Sequence, residues 1–429
     1  MMPFERLESE VRSYCRSFPA VFSTARGSTI WDEHGKPYLD FFAGAGALNY
    51  GHNHPELKSA LIDYLSHDGI THSLDMATVA KRRFLERFDE VVLQPRKLSY
   101  KLLFPGPTGT NAVEAALKVA RKATGRTQVM CFTNGFHGMT LGSLSITGNR
   151  SKRHGAGVDL GHTQVVPFDG YHGDDVDTVG MIERLLSDSS SGIDKPAAFI
   201  LEPVQAEGGI HPASAEWMQG LAALAKRHGI LLIVDDIQVG CGRTGSFFSF
   251  DELGVEPDIV CLSKSLSGYG LPMSMVLLRP ELDVFSPGEH NGTFRGHMPA
   301  FVTATRSLDF WTDDGLMEQV NEHHQLVRQR LVELLDHASG EVRGRGLIMG
   351  LALDKPGLAV QVARRAFTKG LIVETAGPAD DVVKILPPLV IEQSELVRGL
   401  DILEESLREV VLEGLRPGGS TATSSEVTA

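Results

Sequence analysis

Short runs of consecutive apolar residues, rather than alternating ones, mark the middle of the chain. They are Gln128–Thr133, Ala197–Leu201, Ile230–Asp235 and Asp258–Leu262. Such runs predict strands buried on both faces, as in a mainly parallel sheet covered by helices. The intervening segments have helical length, and Val113, Ala116, Leu117 and Ala120 recur at helical spacing in a helix expected over 111–124. This alternation predicts an α/β domain over residues 56–310. Ahead of it, residues 1–55 form a separate segment. There Arg26–Asp40 reads as a hairpin turning at Asp32-Glu33-His34-Gly35, and Ala43–His52 as a loop of small residues open to close ligand approach. Beyond it, short strands at Leu347–Leu353, Leu371–Thr375 and Val382–Leu386 alternate with helices over 311–415, giving a smaller α+β lobe. Residues 416–429 carry no packing pattern and are expected to be disordered.

Composition narrows the partners. With 41 basic against 54 acidic residues the net charge is −13, which argues against nucleic acid or an anionic membrane surface. Backbone amides and one lysine could still hold a phosphate locally. Cys15, Cys131, Cys241 and Cys261 are too scattered for a CxxC pair and suit a reduced compartment. The first residues lack a signal-peptide apolar stretch, and no run approaches the ~20 apolar residues of a membrane helix. A cytoplasmic protein is expected. His52-Asn53-His54 has the wrong spacing for a strong metal motif, and no metal is expected.

Polar residues gather at the carboxyl ends of the apolar runs, the edge where open α/β sheets bind ligands. Asp235 closes one run, and Lys264 follows another in Ser263-Lys264-Ser265. A lysine amine can condense with the aldehyde of pyridoxal phosphate while a carboxylate keeps its ring nitrogen protonated. Such residues also end strands that bind nothing. Gly109-Thr110, at the start of the predicted helix, offers amides and a hydroxyl to a phosphate, or serves as a plain cap region. Phe136 and His137 follow the 128–133 run; the Phe ring could stack on a flat cofactor or fold into the core. Glu202 and Glu207 follow the next run and could orient an amine or lie in a solvated turn. Gln238, three residues past Asp235, could reach the cofactor's phenolic oxygen.

Taken together, Gly-Thr at 109–110, Phe-His-Gly at 136–138, Glu-Pro-Val-Gln at 202–205, Asp-Asp-Ile-Gln at 235–238 and Ser-Lys-Ser at 263–265 resemble the class III (omega) pyridoxal phosphate aminotransferases, enzymes of fold type I. The resemblance runs from about residue 18 to 395. Asp40–His52, Asp68–Met76, Phe104–Asn111 and Gly288–Gly296 resemble its 2,4-diaminobutyrate branch, the type that opens ectoine synthesis. The resemblance implies amino transfer from glutamate to L-aspartate 4-semialdehyde, giving L-2,4-diaminobutyrate and 2-oxoglutarate. It also implies a small lobe assembled from the N- and C-terminal parts.

On that resemblance Lys264 would bind the cofactor and shuttle the α-proton, and Asp235 would hold the ring N–H. Gln238 would face the phenolic oxygen, Phe136 would stack on the ring, His137 and Glu202 would stand beside the cofactor, and Gly109 and Thr110 would bind phosphate. Thr293 would complete the partner subunit's phosphate cup, implying a homodimer or a dimer of dimers. Ala47 would line the substrate space, and Glu207 would be the gate that masks a carboxylate-binding arginine while the amine donor is absent. The chain departs from the wider class in Val383-Lys384-Ile385, where relatives carry arginine, and in Met139, where some carry arginine after His-Gly. A lysine is a point charge without a bidentate fork. Arg295 and Lys384 are therefore both candidates for the 2-oxoglutarate carboxylates. Ala206 replaces a glycine of many relatives. Other readings are transfer to ornithine, acetylornithine or 4-aminobutyrate, mutase or racemase chemistry, and a cofactor-binding regulator.

Overall fold

The computed structural model describes residues 3–414, so the tail expected over 416–429 lies outside the described residues. A seven-stranded sheet runs in the order Lys101–Leu103, Met275–Leu278, Ile259–Leu262, Leu231–Asp235, Ala198–Leu201, Val129–Phe132, Thr163–Val166. From Ile259–Leu262 onward the strands are parallel; Met275–Leu278 is antiparallel to both its neighbours. The consecutive apolar pattern is explained by the two covers. Cys131, Ile200, Ile233 and Cys261 face the helix Gly109–Thr124, while Phe132, Phe199, Val234 and Leu262 face a second cluster holding Trp217 and Phe301. Alanines at 112, 115, 116 and 120 let that helix lie close against the sheet. The helix begins at Gly109, two residues earlier than expected. Asn111 Oδ1 accepts from the backbone N–H of Thr108 at 3.1 Å and from its hydroxyl at 2.8 Å, which fixes the first turn.

The hairpin forms as Thr29–Asp32 against Pro37–Asp40, joined by Phe22–Arg26. The strand expected over 371–375 divides between two sheets. Leu371–Ile372 pairs in parallel with Pro37–Asp40, whereas Glu374–Ala376 pairs antiparallel with Val382–Ile385. The chain changes partners at Val373. A common core joins Leu39 and Phe41 to Val383, Ile385 and the apolar stripe Leu396, Leu400, Leu403, Leu407 of the helix Gln393–Gly414. Arg365 bonds Glu409 at 2.6 Å and Glu413 at 2.8 Å across that helix. Among the described residues no helix is long and apolar enough to cross a membrane.

Arg243, fully buried, ties these parts together. Its guanidinium donates to the carbonyl of Leu347 at 3.0 Å, to the carbonyl of Pro387 and to Asn49 Oδ1 at 2.5 Å. Arg243→Met leaves three buried acceptors without donors. A loss of about 3 kcal/mol is expected, read as a lower urea midpoint with an unchanged slope. A midpoint equal to the parent's would show that these bonds carry no stability.

Candidate active site

The carboxyl ends of the parallel strands bring the chemistry-bearing residues to one edge. Asp235 is the last residue of its strand, Glu202 directly follows Ala198–Leu201, and Phe136–His137 follow Val129–Phe132 by one turn. Lys264 lies two residues past Ile259–Leu262 with φ of 48°, left-handed and rare for a side-chain-bearing residue. Its neighbours hold that geometry. Ser265 Oγ donates to the carbonyl of Gly46 at 2.7 Å and accepts the N–H of Asn49 at 3.1 Å, and Ser263 Oγ donates to the carbonyl of Met273 at 2.7 Å. The 43–52 loop, Ala47 included, is thus laid against the lysine's flank. A strained residue held from both sides is a pattern of functional sites. Burial lowers the Lys264 ammonium to about 8, with Lys384 reinforcing the shift and Glu207 opposing it.

Asp235 is oriented before anything binds. His137 Nδ1 donates to its Oδ2 at 2.7 Å, and the N–H of Ile237 donates to Oδ1 at 3.2 Å. Burial alone would lower the His137 pKa; the Asp235 carboxylate outweighs it and raises the imidazole above its ordinary value. Glu202 accepts the N–H of Phe136 at 2.8 Å, which fixes the backbone carrying that ring. Burial pushes the Glu202 carboxyl up to about 7.

Gly109 and Thr110 are the first two residues of a 16-residue helix, where amides lack intrahelical acceptors. A Cβ on Gly109 would stand 3.0 Å from Ile237, and one on Gly138 only 2.7 Å from Thr110 Oγ1. Thr110 Oγ1 in turn bonds the hydroxyls of Thr140 at 2.6 Å and Ser143 at 2.7 Å. The glycines of Gly109-Thr110 and Phe-His-Gly therefore allow two loops to close around one cradle.

Lys384 resolves what Glu207 pairs with. Wholly buried, it meets Glu207 Oε1 at 2.7 Å and Glu374 Oε1 at 2.8 Å, with Gln238 Oε1 at 3.4 Å. The Glu374 contact is an ion pair without hydrogen-bond geometry, since Glu374 Oε1 has no hydrogen-bonded partner. Burial would lower the Lys384 pKa, but the two carboxylates raise it above the ordinary lysine value. One cation does not serve both acids equally. Lys384, helped by Lys264, overcomes burial to hold the Glu207 carboxyl well below its usual range; for Glu374 burial prevails and the carboxyl rises. Gln238 Nε2 donates to the carbonyl of Ala45 at 2.8 Å and to Glu207 at 3.2 Å, linking this cluster to the Ala43–His52 loop. The methyl of Ala206 is buried with Val204, Ile210 and Val239.

Two expected residues stand apart. The carbonyl of Thr293 bonds His72 Nε2 at 2.6 Å, and Arg295 reaches the carbonyl of His290 at 3.3 Å, Asn291 at 3.2 Å and Asp75 at 4.0 Å. None of these contacts joins them to Lys264 or its neighbours. Glu374 and Lys152 were not singled out from the sequence. Glu374 had a signal, a lone acid within the apolar run Leu371-Ile372-Val373 facing a lone lysine within Val382-Val383-Lys384-Ile385. Lys152 had none, because only the folded loop sets its ammonium 4.4 Å over the Phe136 ring.

The family model for aminotransferase class-III matches residues 12–407. A diaminobutyrate–2-oxoglutarate transaminase of Halalkalibacterium halodurans is 56% identical over 414 residues, covering 96% of this chain and 97% of that protein. One from Streptomyces anulatus is 58% identical over 408 residues, covering 95% and 97%. Among solved structures, the ornithine aminotransferase from Toxoplasma gondii matches with a TM-score of 0.82 at 27% identity, covering 96% of this chain and 94% of that one. The acetylornithine aminotransferase from Elizabethkingia anophelis matches at 0.77 and 25%, covering 95% and 97%. With the lysine, the carboxylate and the glycine-lined cradle at one sheet edge, the chain belongs to the class III aminotransferases, pyridoxal phosphate enzymes of fold type I.

Proposed function

We propose that this enzyme interconverts glutamate and L-aspartate 4-semialdehyde with 2-oxoglutarate and L-2,4-diaminobutyrate. The observation that carries the reading is likeness over nearly the whole chain to proteins named for that reaction. The site supports it: the cation beside Glu207 is Lys384, a departure from the arginine of ornithine and 4-aminobutyrate enzymes.

The residues present fit pyridoxal phosphate. Gly109 and Thr110 would take its phosphate, Phe136 would cover its ring, Asp235 would meet the ring nitrogen, Gln238 the phenolic oxygen and Lys264 the aldehyde carbon. When bound, the cofactor supplies the carbonyl that receives the amino group and a ring that stores electrons. Lys264, with an amine largely deprotonated above pH about 8, would take the proton from the carbon that bears the transferred amine, Cα of glutamate or Cγ of diaminobutyrate, and return it in the reverse direction. His137 holds the Asp235 carboxylate aimed, so it needs no reorganisation during the reaction. Glu207 covers Lys384 while the carboxylate-poor end of diaminobutyrate enters. It gives way when a carboxylate of glutamate or 2-oxoglutarate arrives.

A homodimer completes this reading, with Thr293 of each copy closing the phosphate cup of the other. Exposed Phe294, Leu74 and Met76 beside Thr293 support a covered face there. The place of action is the cytoplasm, supported by four unpaired cysteines.

Diaminobutyrate and glutamate, added separately, are each expected to discharge the visible absorption band of the bound cofactor. Ornithine and 4-aminobutyrate are expected to leave it in place, and a response to either of those alone would transfer the enzyme to their reaction. Lys264→Ala is expected to lower turnover by at least about 10³-fold and to abolish the covalent link. A second expectation concerns pH. Lys264 attacks the aldehyde only as the free amine, so cofactor capture by apoprotein, followed by absorbance, slows as pH falls through about 8 and levels off above it. A rate that keeps rising to the ordinary lysine pKa would overturn the depressed value.

A further inference from the structure

A five-carbon dicarboxylate needs two cations, and the site described so far provides only Lys384. The position after His-Gly, where some relatives carry arginine, is Met139, whose side chain is half exposed and uncharged. Thirteen residues on, the same loop returns a cation. Lys152 sits in the short helix Arg150–His154, fixed by Asn149, whose Oδ1 accepts the N–H of Lys152 at 3.0 Å. Its ammonium stands 4.4 Å from the centre of the Phe136 ring, within cation–π range.

Three features separate Lys152 from an ordinary surface lysine. It is partly buried. Among the described residues no carboxylate forms an ion pair with it, whereas Arg227, Lys369 and Lys384 elsewhere in the fold all have acidic partners. And it lines a cavity of about 690 Å³ together with Phe136, Glu207, Gly208 and Gly377. A partly buried lysine without an ion-paired carboxylate among the described residues, its ammonium over the ring expected to cover the cofactor, is suited to receive an anion. Lys152 also helps to draw the Glu207 carboxyl down, so the two groups share one electrostatic environment. Arg150 lines the same cavity but is exposed, where a charge contributes less.

We propose that Lys152 binds the second carboxylate of glutamate and 2-oxoglutarate, taking the place of the arginine that Met139 replaces. Lys384 receives one carboxylate when Glu207 yields, and Lys152 receives the other at the cavity mouth. Diaminobutyrate has a single carboxylate and an amine at its far end, so it depends on Lys152 less. The inference rests on the reading of the site as one that handles a dicarboxylic oxo acid.

The test uses holoenzyme, Lys152→Gln and Lys152→Arg. In Lys152→Gln the KM for 2-oxoglutarate and glutamate is expected to rise by about 10-fold to 100-fold, the loss of one charge-assisted contact. The effect on the diaminobutyrate half-reaction should be at least about tenfold smaller, and Lys152→Arg should recover most of the affinity. Glutarate, an unreactive dicarboxylate, is titrated in parallel by calorimetry, with the same weakening expected. Equal glutarate affinity in parent and Lys152→Gln, or no glutarate binding by the parent, overturns the proposal whatever the turnover substrate proves to be. Equal loss in both half-reactions with a shifted cofactor band would also overturn it, leaving Lys152 only as a support for Phe136. If glutarate behaves as expected but diaminobutyrate does not react, the assignment of the amine substrate fails and the role of Lys152 stands.

Discussion

A buried guanidinium with no acid bonded to it holds the enzyme's working parts in register. Arg243 lies in the loop after the Asp235 strand and donates to Asn49 from the N-terminal segment and to the carbonyls of Leu347 and Pro387 from the C-terminal one. Its charge is solvated by peptide and amide dipoles, and each of those oxygens would otherwise be buried without a donor. Asn49 continues into the bonds that flank Lys264, and Pro387 is three residues from Lys384. Lys264 and Lys384 are therefore linked through one side chain, although they come from distant parts of the sequence.

Two lysines with opposite tendencies follow from this arrangement. Lys264 has no carboxylate in ion-pair contact among the described residues, and burial lowers its ammonium to about 8. Lys384 is fully buried but meets two carboxylates, which hold its pKa above the ordinary lysine value. The same residue type thus serves as a nucleophile in one place and as a permanent cation a short way off. The difference is made by which acids the strands bring alongside.

The sheet and its catalytic edge were legible because buried parallel strands leave unbroken apolar runs, and because polar residues past their carboxyl ends can only gather at one rim. Lys264, Asp235 and Phe136 gather at that rim, while their roles, and that of Gly109, came only from the family resemblance. Glu374 needed tertiary information. The run 371–375 looks like one strand, but it changes sheets at Val373, and only then does Glu374 fall opposite Lys384. Lys152 depends on a loop path that no periodicity records. Thr293 and Arg295 bond His72, His290 and Asn291 and approach Asp75, none of them beside Lys264.

The facing of Glu374 and Lys384 across two antiparallel strands sets the character of the gate. Glu207 sits on a turn next to Gly208 and Gly209 and can depart; Glu374 is fixed in the ladder and cannot. A buried lysine with one partner would become a bare ion each time that partner left, at a cost of several kcal/mol. In the proposed gate the incoming carboxylate would replace an outgoing one while the second acid stays. The lysine would have two acidic neighbours before the exchange and two after it. Opening would then be a swap between near equals, running with similar ease in either direction, as a reversible amino transfer requires.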